Sequence, residues 1–145
     1  MKVQFTLNRK AVATTVVPGE TLLEYLRKNE FYSVKYGCDH GECGACTVLI
    51  DGLSYNACLV LIHTLKDRQI ETIESFTIKG ELHRVQKSFI EHGAIQCGYC
   101  TPGMILSAES LLRVNPDPTE NEIRDAMAGN LCRCTGYVKP VEALK

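Results

Sequence analysis

The sequence has no apolar run that approaches the roughly 20 residues needed to cross a bilayer. It has no concentrated positive charge either, because its 16 lysines and arginines are dispersed and its formal net charge is -1. Such a chain lacks the basic stripe with which proteins bind nucleic-acid phosphates. Its first ten residues, MKVQFTLNRK, lack the basic and then apolar regions of a secretory signal. We therefore expect a cytoplasmic protein that binds neither membranes nor nucleic acids.

The sequence also lacks a recognisable catalytic side chain. Glycine-rich sequence occurs only beside cysteines, and no serine or lysine has a partner at the spacing of a nucleophilic motif. With 45% hydrophobic and 23% charged residues, the 145-residue chain fits one globular domain or two small ones. We expect no catalytic residue in this chain, and we expect a bound cofactor to carry the chemistry.

Cysteine, in contrast, is abundant, with eight in the chain. In a reducing compartment, so many cysteines are more often metal ligands or redox groups than a disulfide framework. Four of them precede residue 75 and four follow it. The spacing of these cysteines is therefore the strongest indication of function in the chain.

The hydrophobic pattern changes from a period of 2 to a period of 3.6 near residue 75. Before that point, alternating and β-branched segments predict strands at 3–7, 11–17, 47–50 and near 69–73. A capping box, Thr21 with Glu24, predicts a short helix between the second and third of them. The fold class is therefore predicted as α+β, with a small mixed sheet clasping a helix in residues 1–75 and an all-helical part in residues 76–145.

Three helices are predicted in the second part. The first contains Leu82, Val85, Phe89 and Ile90 as its apolar face and ends near Gly93. The second begins with Thr101 as its cap and Pro102 in its first turn, and Asn115 with Pro116 ends it. The third opens with a capping box, Thr119 with Glu122, and stops near Gly129.

The first four cysteines have the spacing of a plant-type ferredoxin that binds a [2Fe-2S] cluster. Cys38, Cys43 and Cys46 are spaced C-x4-C-x2-C, and Cys58 follows after eleven residues. Three thiolates must then converge from one tight loop, which requires residues without a Cβ; Gly37, Gly41 and Gly44 are such residues. A four-cysteine zinc site is the alternative, although zinc sites use two C-x2-C pairs more often than this spacing.

The second four cysteines form two close pairs that are far apart in the chain. Cys97 and Cys100 are separated by two residues, Cys132 and Cys134 by one, and 31 residues lie between the pairs. If the two intervening helices run antiparallel, the chain returns to its starting end and closes a four-thiolate site. Spacing alone leaves a second iron–sulfur cluster and a zinc ion as alternatives here.

Three stretches together resemble the iron–sulfur subunit of the molybdenum hydroxylases, the xanthine dehydrogenase and aldehyde oxidoreductase family. They are GCDHGECGACTV, QCGYCTPGM and GNLCRCTGY, beginning at Gly37, Gln96 and Gly129. The resemblance implies a ferredoxin-like β-grasp domain followed by a four-helix domain, with one [2Fe-2S] cluster in each. It assigns Cys38, Cys43, Cys46 and Cys58 to the first cluster, and Cys97, Cys100, Cys132 and Cys134 to the second.

The resemblance also implies partners. A large subunit would bind the molybdopterin cofactor and hydroxylate the substrate, and a medium subunit would bind FAD. The chain would pass electrons from the molybdenum centre through both clusters toward FAD, within a hetero-oligomer for which a dimer of heterotrimers is one arrangement. Gln96 would hydrogen-bond the pterin, and Cys134 would lie against it as well as binding iron.

Two functions from other classes compete with this interpretation. One is a free two-cluster ferredoxin that serves soluble reductases, and the other is a zinc-binding interaction module. A free shuttle would be expected to be strongly acidic so that charge steers it to its partners. A net charge of -1 instead favours a chain that is buried in a complex.

Overall fold

The computed structural model describes residues 1–145, the whole sequence, as a mixed sheet followed by helices. The sheet contains β1 (Lys2–Leu7), β2 (Lys10–Thr15), β3 (Thr47–Ile50), β4 (Leu53–Asn56) and β5 (Gln69–Glu71) in the order β2-β1-β5-β3-β4. Only β1 and β5 pair in parallel. The helices are α1 (Leu22–Lys28), α2 (Arg84–Glu91), α3 (Thr101–Val114), α4 (Glu120–Met127) and α5 (Val138–Glu142), with short 3-10 turns at Ala57–Leu59, Ile62–Thr64 and Ile73–Ser75. The predicted α+β class is confirmed, and the four helices after residue 75 agree with the four-helix domain that the family resemblance implied, whereas the sequence pattern had predicted three of them.

The predicted hairpin and first helix are present for the reasons that the sequence suggested. Strand β1 buries Val3, Phe5 and Leu7 and exposes the residues between them, as a strand with one buried face should. At the start of α1, Thr21 and Glu24 exchange both hydrogen bonds of the predicted capping box. The buried residues of β1 and α1 pack together in the first hydrophobic core, which lies between the sheet and this helix.

Strand β3 is buried on both faces, which explains how the two parts of the chain pack together. All four of its residues are buried. Successive side chains of a strand point to opposite faces. Val48 and Ile50 accordingly belong to the core beneath α1, whereas Leu49 belongs to the core of the helical part. Helix α3, which is buried from Gly103 to Ser110, packs against this second face.

Several details of the predicted helices were wrong. Helix α3 begins at Thr101 with Cys100 as its cap residue, so Thr101 is the first helical residue and not the cap. Leu82 and Ile90, predicted to face inward, are 37% and 56% exposed, because α2 begins only at Arg84 and packs through Val85 and Phe89. Strand β4 and helix α5 carry no strong periodic pattern, and the sequence did not predict either of them.

An ionic network joins the sheet to the helices beside this interface. Arg113 of α3 donates two hydrogen bonds to Glu71 of β5, at 2.6 and 3.1 Å, and a third to Glu109 at 3.0 Å. Glu109 is only 5% exposed. Its other carboxylate oxygen lies 3.5 Å from Nη2 of Arg84 and 3.8 Å from Nε2 of His83. Arg113 therefore stabilises two carboxylates that belong to different parts of the fold.

None of the helices has both the length and the apolar character that crossing a bilayer would require.

Candidate metal centres

The four cysteines of the first site come together through a loop and a strand pair. Cys38, Cys43 and Cys46 lie in the loop between α1 and β3, and Cys58 lies in the 3-10 turn after β4. Because β3 and β4 pair antiparallel, the end of β4 returns to the start of β3, where the N–H of Ala57 donates to the carbonyl of Cys46 at 3.2 Å. This pairing places Cys58 beside Cys46.

The loop of the first site is too tight for side chains at particular positions. A Cβ built at Gly37 would collide with the sulfur of Cys43. Gly44 has a φ of +68°, and a Cβ there would lie 2.7 Å from Nδ2 of Asn130. Glycine is therefore required at Gly37 by space, and at Gly44 by both space and backbone conformation.

Backbone N–H groups point at the sulfurs of this loop. The N–H groups of Glu42 and Cys43 donate to the sulfur of Cys38 at 3.3 and 3.4 Å, and that of Ala45 donates to Cys43 at 3.4 Å. Hydrogen bonds from the backbone of His40 and Cys43 lower the pKa of Cys38 to about 6. Such donors stabilise a negatively charged sulfur, which is the form that binds a metal.

Burial acts in the opposite direction on the inner thiols of the first site. It raises the pKa of Cys46 to about 12 and also raises the pKa of Cys43. A buried thiolate of this kind requires a positively charged partner. The first site thus has a partly exposed thiol, Cys38, that ionises readily and a buried thiol, Cys46, that ionises only beside a positive charge.

The second site lies where two helix-to-loop junctions meet. Cys97 and Cys100 directly precede α3, and Cys132 and Cys134 follow α4 by a few residues. All four of these cysteines line a single cleft. The intervening helices therefore return the chain to its starting end, as the spacing suggested.

The electrostatics of the second site repeat those of the first. Burial raises the pKa of Cys100 to about 12. Burial also disfavours the thiolate of Cys132, but hydrogen bonds from the hydroxyl and the N–H of Thr135, at 3.1 and 3.4 Å, lower its pKa to about 7. Each site therefore contains one thiol that is poised to ionise and one that is not.

The second site opens to solvent on one side. Its four cysteines line a cleft of about 430 Å³ together with Tyr99, Leu131, Arg133 and Tyr137. Cys97 and Cys134 are exposed at this opening. Gln96, which precedes the first of them, is also exposed but does not line the cleft. The residues expected to face a pterin are thus at the surface of the chain.

The donor set fits a binuclear group. No three histidine, cysteine, aspartate or glutamate side chains are placed to share a single metal ion. Each site instead brings four cysteines together. A [2Fe-2S] cluster is held by four cysteine thiolates, so each set of four matches its requirement.

Several residues around the sulfurs were not identified from the sequence. Thr135 donates to Cys132, and the hydroxyl of Tyr137 accepts the N–H of Cys132 at 2.8 Å. Asn130, two residues before Cys132, is buried and makes hydrogen bonds to the loop of the first site. All three lie inside the stretch GNLCRCTGY, but none is a cysteine, so the spacing of the cysteines gives no signal for them.

Comparison with known proteins agrees with this arrangement over the whole chain. The family described as a 2Fe-2S iron-sulfur cluster binding domain matches residues 5–72. A second family, described as a [2Fe-2S] binding domain, matches residues 72–145. The fold and the two sites thus define a protein with two [2Fe-2S] domains in series.

Individual relatives identify the family more specifically than the two domain families do. The chain is 48% identical to the nicotinate dehydrogenase small FeS subunit of Eubacterium barkeri, over 95% of this chain and 90% of the relative. It is 44% identical to the xanthine dehydrogenase iron-sulfur-binding subunit of Escherichia coli O157:H7, over 93% of this chain and 86% of the relative. It superposes on a chain of quinoline 2-oxidoreductase from Pseudomonas putida 86 with a TM-score of 0.95 and 41% identity, covering 99% of this chain and 90% of that one.

The chain therefore belongs to the iron–sulfur subunits of the molybdenum hydroxylase family. Within that family of oxidoreductases it is an electron-transfer subunit, which confirms the interpretation drawn from the three motifs.

Proposed function

We propose that residues 1–75 and 76–145 each hold one [2Fe-2S] cluster through the four cysteines that they contain. Cys38, Cys43, Cys46 and Cys58 would hold the first cluster, and Cys97, Cys100, Cys132 and Cys134 would hold the second. The convergence of four cysteines at each site, with hydrogen-bond donors directed at their sulfurs, carries the proposal.

When bound, the clusters supply reversible one-electron oxidation and reduction, and this chain positions and tunes them. The N–H groups that donate to Cys38 and Cys43 in the first site, and Thr135 in the second, are the tuning groups, because hydrogen bonds to sulfur favour the more negative, reduced state.

We also infer the orientation of the chain between its partners. Cys134 lines the open cleft of the second site and Gln96 is exposed next to Cys97, so a molybdopterin cofactor held by a large subunit could contact both. The first site would then lie toward the FAD of a medium subunit. This order of cofactors favours a heterotrimer, and we propose that it exists alone or as a dimer of heterotrimers in the cytoplasm.

Electron paramagnetic resonance of the reduced, purified complex tests the assignment of the cysteines. We expect two distinct [2Fe-2S] signals. Cys132→Ser should abolish the signal of the second site and leave the first, because the ligand sets do not overlap. Cys58→Ser is the matched variant and should have the reciprocal effect. A single signal in the unmodified complex, or loss of both signals in either variant, would contradict the proposal of two independent sites.

A further inference from the structure

The amide of Asn130 lies at the point where the two cysteine sites approach each other. Its side chain is buried, with the residue only 2% exposed. Nδ2 donates to the carbonyl of Gly44 and to the hydroxyl of Thr47, both at 3.1 Å, and Oδ1 accepts from the hydroxyl of Ser107 at 2.7 Å. One side chain thus joins the loop of the first site, the start of β3 and the middle of α3.

The backbone segments around this amide approach one another so closely that Gly44 and Gly103 have no room for a side chain. A Cβ at Gly103 of α3 would lie 2.5 Å from the carbonyl oxygen of Gly44 and 2.9 Å from Nδ2 of Asn130. Gly44 has the same restriction on its own side, where a Cβ would come within 2.9 Å of Cα of Asn130. Two glycines therefore allow a loop, a helix and the segment before Cys132 to meet around one amide.

A backbone hydrogen bond next to Asn130 connects the two sets of cysteines directly. The N–H of Leu131 donates to the carbonyl of Cys43 at 2.9 Å. Cys43 is a proposed ligand of the first cluster, and Leu131 is bonded to Cys132, a proposed ligand of the second. This hydrogen bond is therefore a through-bond connection between ligands of the two sites.

The position of that hydrogen bond depends on the amide. Asn130 precedes Leu131 and Gly44 follows Cys43, so the bond from Nδ2 to Gly44 fixes both residues that flank the connection. Since the amide is buried and uses both its donor and its acceptor atoms, it holds one orientation. Removing it would leave the carbonyl of Gly44 with only the hydroxyl and N–H of Thr47 as partners.

We propose that Asn130 is a positioning residue that sets the separation and the through-bond contact between the two cluster sites. The inference rests on the proposed function, because it requires both clusters. It assigns to the motif GNLCRCTGY a second role, which is to attach the second site to the first as well as to bind metal.

The test uses the magnetic interaction between the two reduced clusters, which depends steeply on their separation. Asn130→Asp keeps the size of the side chain but replaces the donor to Gly44 with an oxygen. In the purified complex we expect the signal of each cluster to persist, with loss of the splitting pattern of the unmodified protein and slower electron exchange between the clusters. Ser107→Ala, which removes only the donor to Oδ1, should shift the same splitting less.

Asn56→Ala is the matched control. Its amide Nδ2 also donates to a glycine carbonyl of the first loop, that of Gly41 at 2.8 Å, but it makes no bond to the second site. We expect it to alter the signal of the first cluster and to leave the splitting unchanged. If Asn130→Asp loses a cluster, the splitting measured in Ser107→Ala decides whether the inference about Asn130 holds.

An unchanged splitting in both Asn130→Asp and Ser107→Ala would overturn the inference, and so would an equal change in Asn56→Ala. If the unmodified complex lacks two iron–sulfur signals, the proposed function itself fails, which is a different result from two signals with an unaltered splitting.

Discussion

Replacing Arg113 with alanine should destabilise the fold far more than the loss of an ordinary surface ion pair. Glu109 would keep only Arg84 at 3.5 Å and His83 at 3.8 Å, and Glu71 would lose both of its hydrogen bonds from the guanidinium. Removing one partner of a buried ion pair costs about 3 to 5 kcal/mol. The side chain of Arg113 is 35% exposed, so we expect about 2 to 3 kcal/mol after allowance for solvent screening.

The measurement is the thermal unfolding midpoint, followed by circular dichroism on the purified complex and on its variants. For a chain of this length, each kcal/mol lowers the midpoint by roughly 2 to 4 °C, so Arg113→Ala should lower it by roughly 5 to 10 °C. Both iron–sulfur signals should persist below the transition, because the network touches none of the cysteines.

The chain contains a matched control in Arg124, which pairs with Glu120 at the same i,i+4 spacing. Both of those side chains are well exposed, and Glu120 keeps Lys145 as a second partner. Exposed helical pairs contribute about 0.3 to 0.5 kcal/mol, so Arg124→Ala should lower the midpoint by roughly 1 to 2 °C. Equal shifts in the two variants would refute the argument that burial of Glu109 determines the cost.

The stability difference between the unmodified protein and Arg113→Ala should also depend on pH, which provides an independent check. The hydrogen bonds from Arg113 lower the pKa of Glu71 below its ordinary value of 4.5. A carboxyl with a lowered pKa in the folded state contributes stability above its unfolded pKa, and that stability is lost as pH falls through the folded pKa. The difference in the free energy of unfolding between the unmodified protein and Arg113→Ala should therefore be largest near neutral pH and should become smaller below about pH 4.5.

Three further results are expected at the two metal sites. Gln96→Ala should leave both iron–sulfur signals intact but slow their reduction by substrate in the complex; unchanged kinetics would remove Gln96 from the pterin contact. Thr135→Val removes the hydroxyl donor to Cys132 and should lower the reduction potential of the second cluster alone, by an amount on the order of tens of millivolts, in a potentiometric titration. Gly44→Ala should cost about 2 to 4 kcal/mol, measured as a lowered unfolding midpoint, because the new Cβ has no room; Gly80→Ala has a similar positive φ but open space, so its cost should be about 1 kcal/mol.

The parts of this structure that could be predicted from the sequence are those with local signals. The capping boxes at Thr21 and Thr119 depend on residues three positions apart, and both are present. The hairpin of β1 and β2 follows from alternation over a few residues. The convergence of the cysteines could be predicted for the same reason, because three of the first four lie within nine residues of sequence.

The parts that could not be predicted depend on contacts between distant segments. Strand β4 has mostly exposed residues, and it is held by pairing with β3 and by a hydrogen bond from Ser54 to Ser110. Asn130 gives no local signal, because its partners lie 23 to 86 residues away.

The two sites share an arrangement that links metal binding to folding. In each site one cysteine ionises readily, and another, Cys46 or Cys100, has its pKa raised by burial to about 12. A buried thiol must lose its proton before it can bind a metal, and without a cation the charge that remains is costly in the core. Cys46 belongs to the first hydrophobic core, and Cys100 is partly buried against the second. Cys38 and Cys132, which ionise more readily, are therefore suited to bind a metal first, and binding at Cys46 and Cys100 requires the cation that offsets the cost of their buried charge.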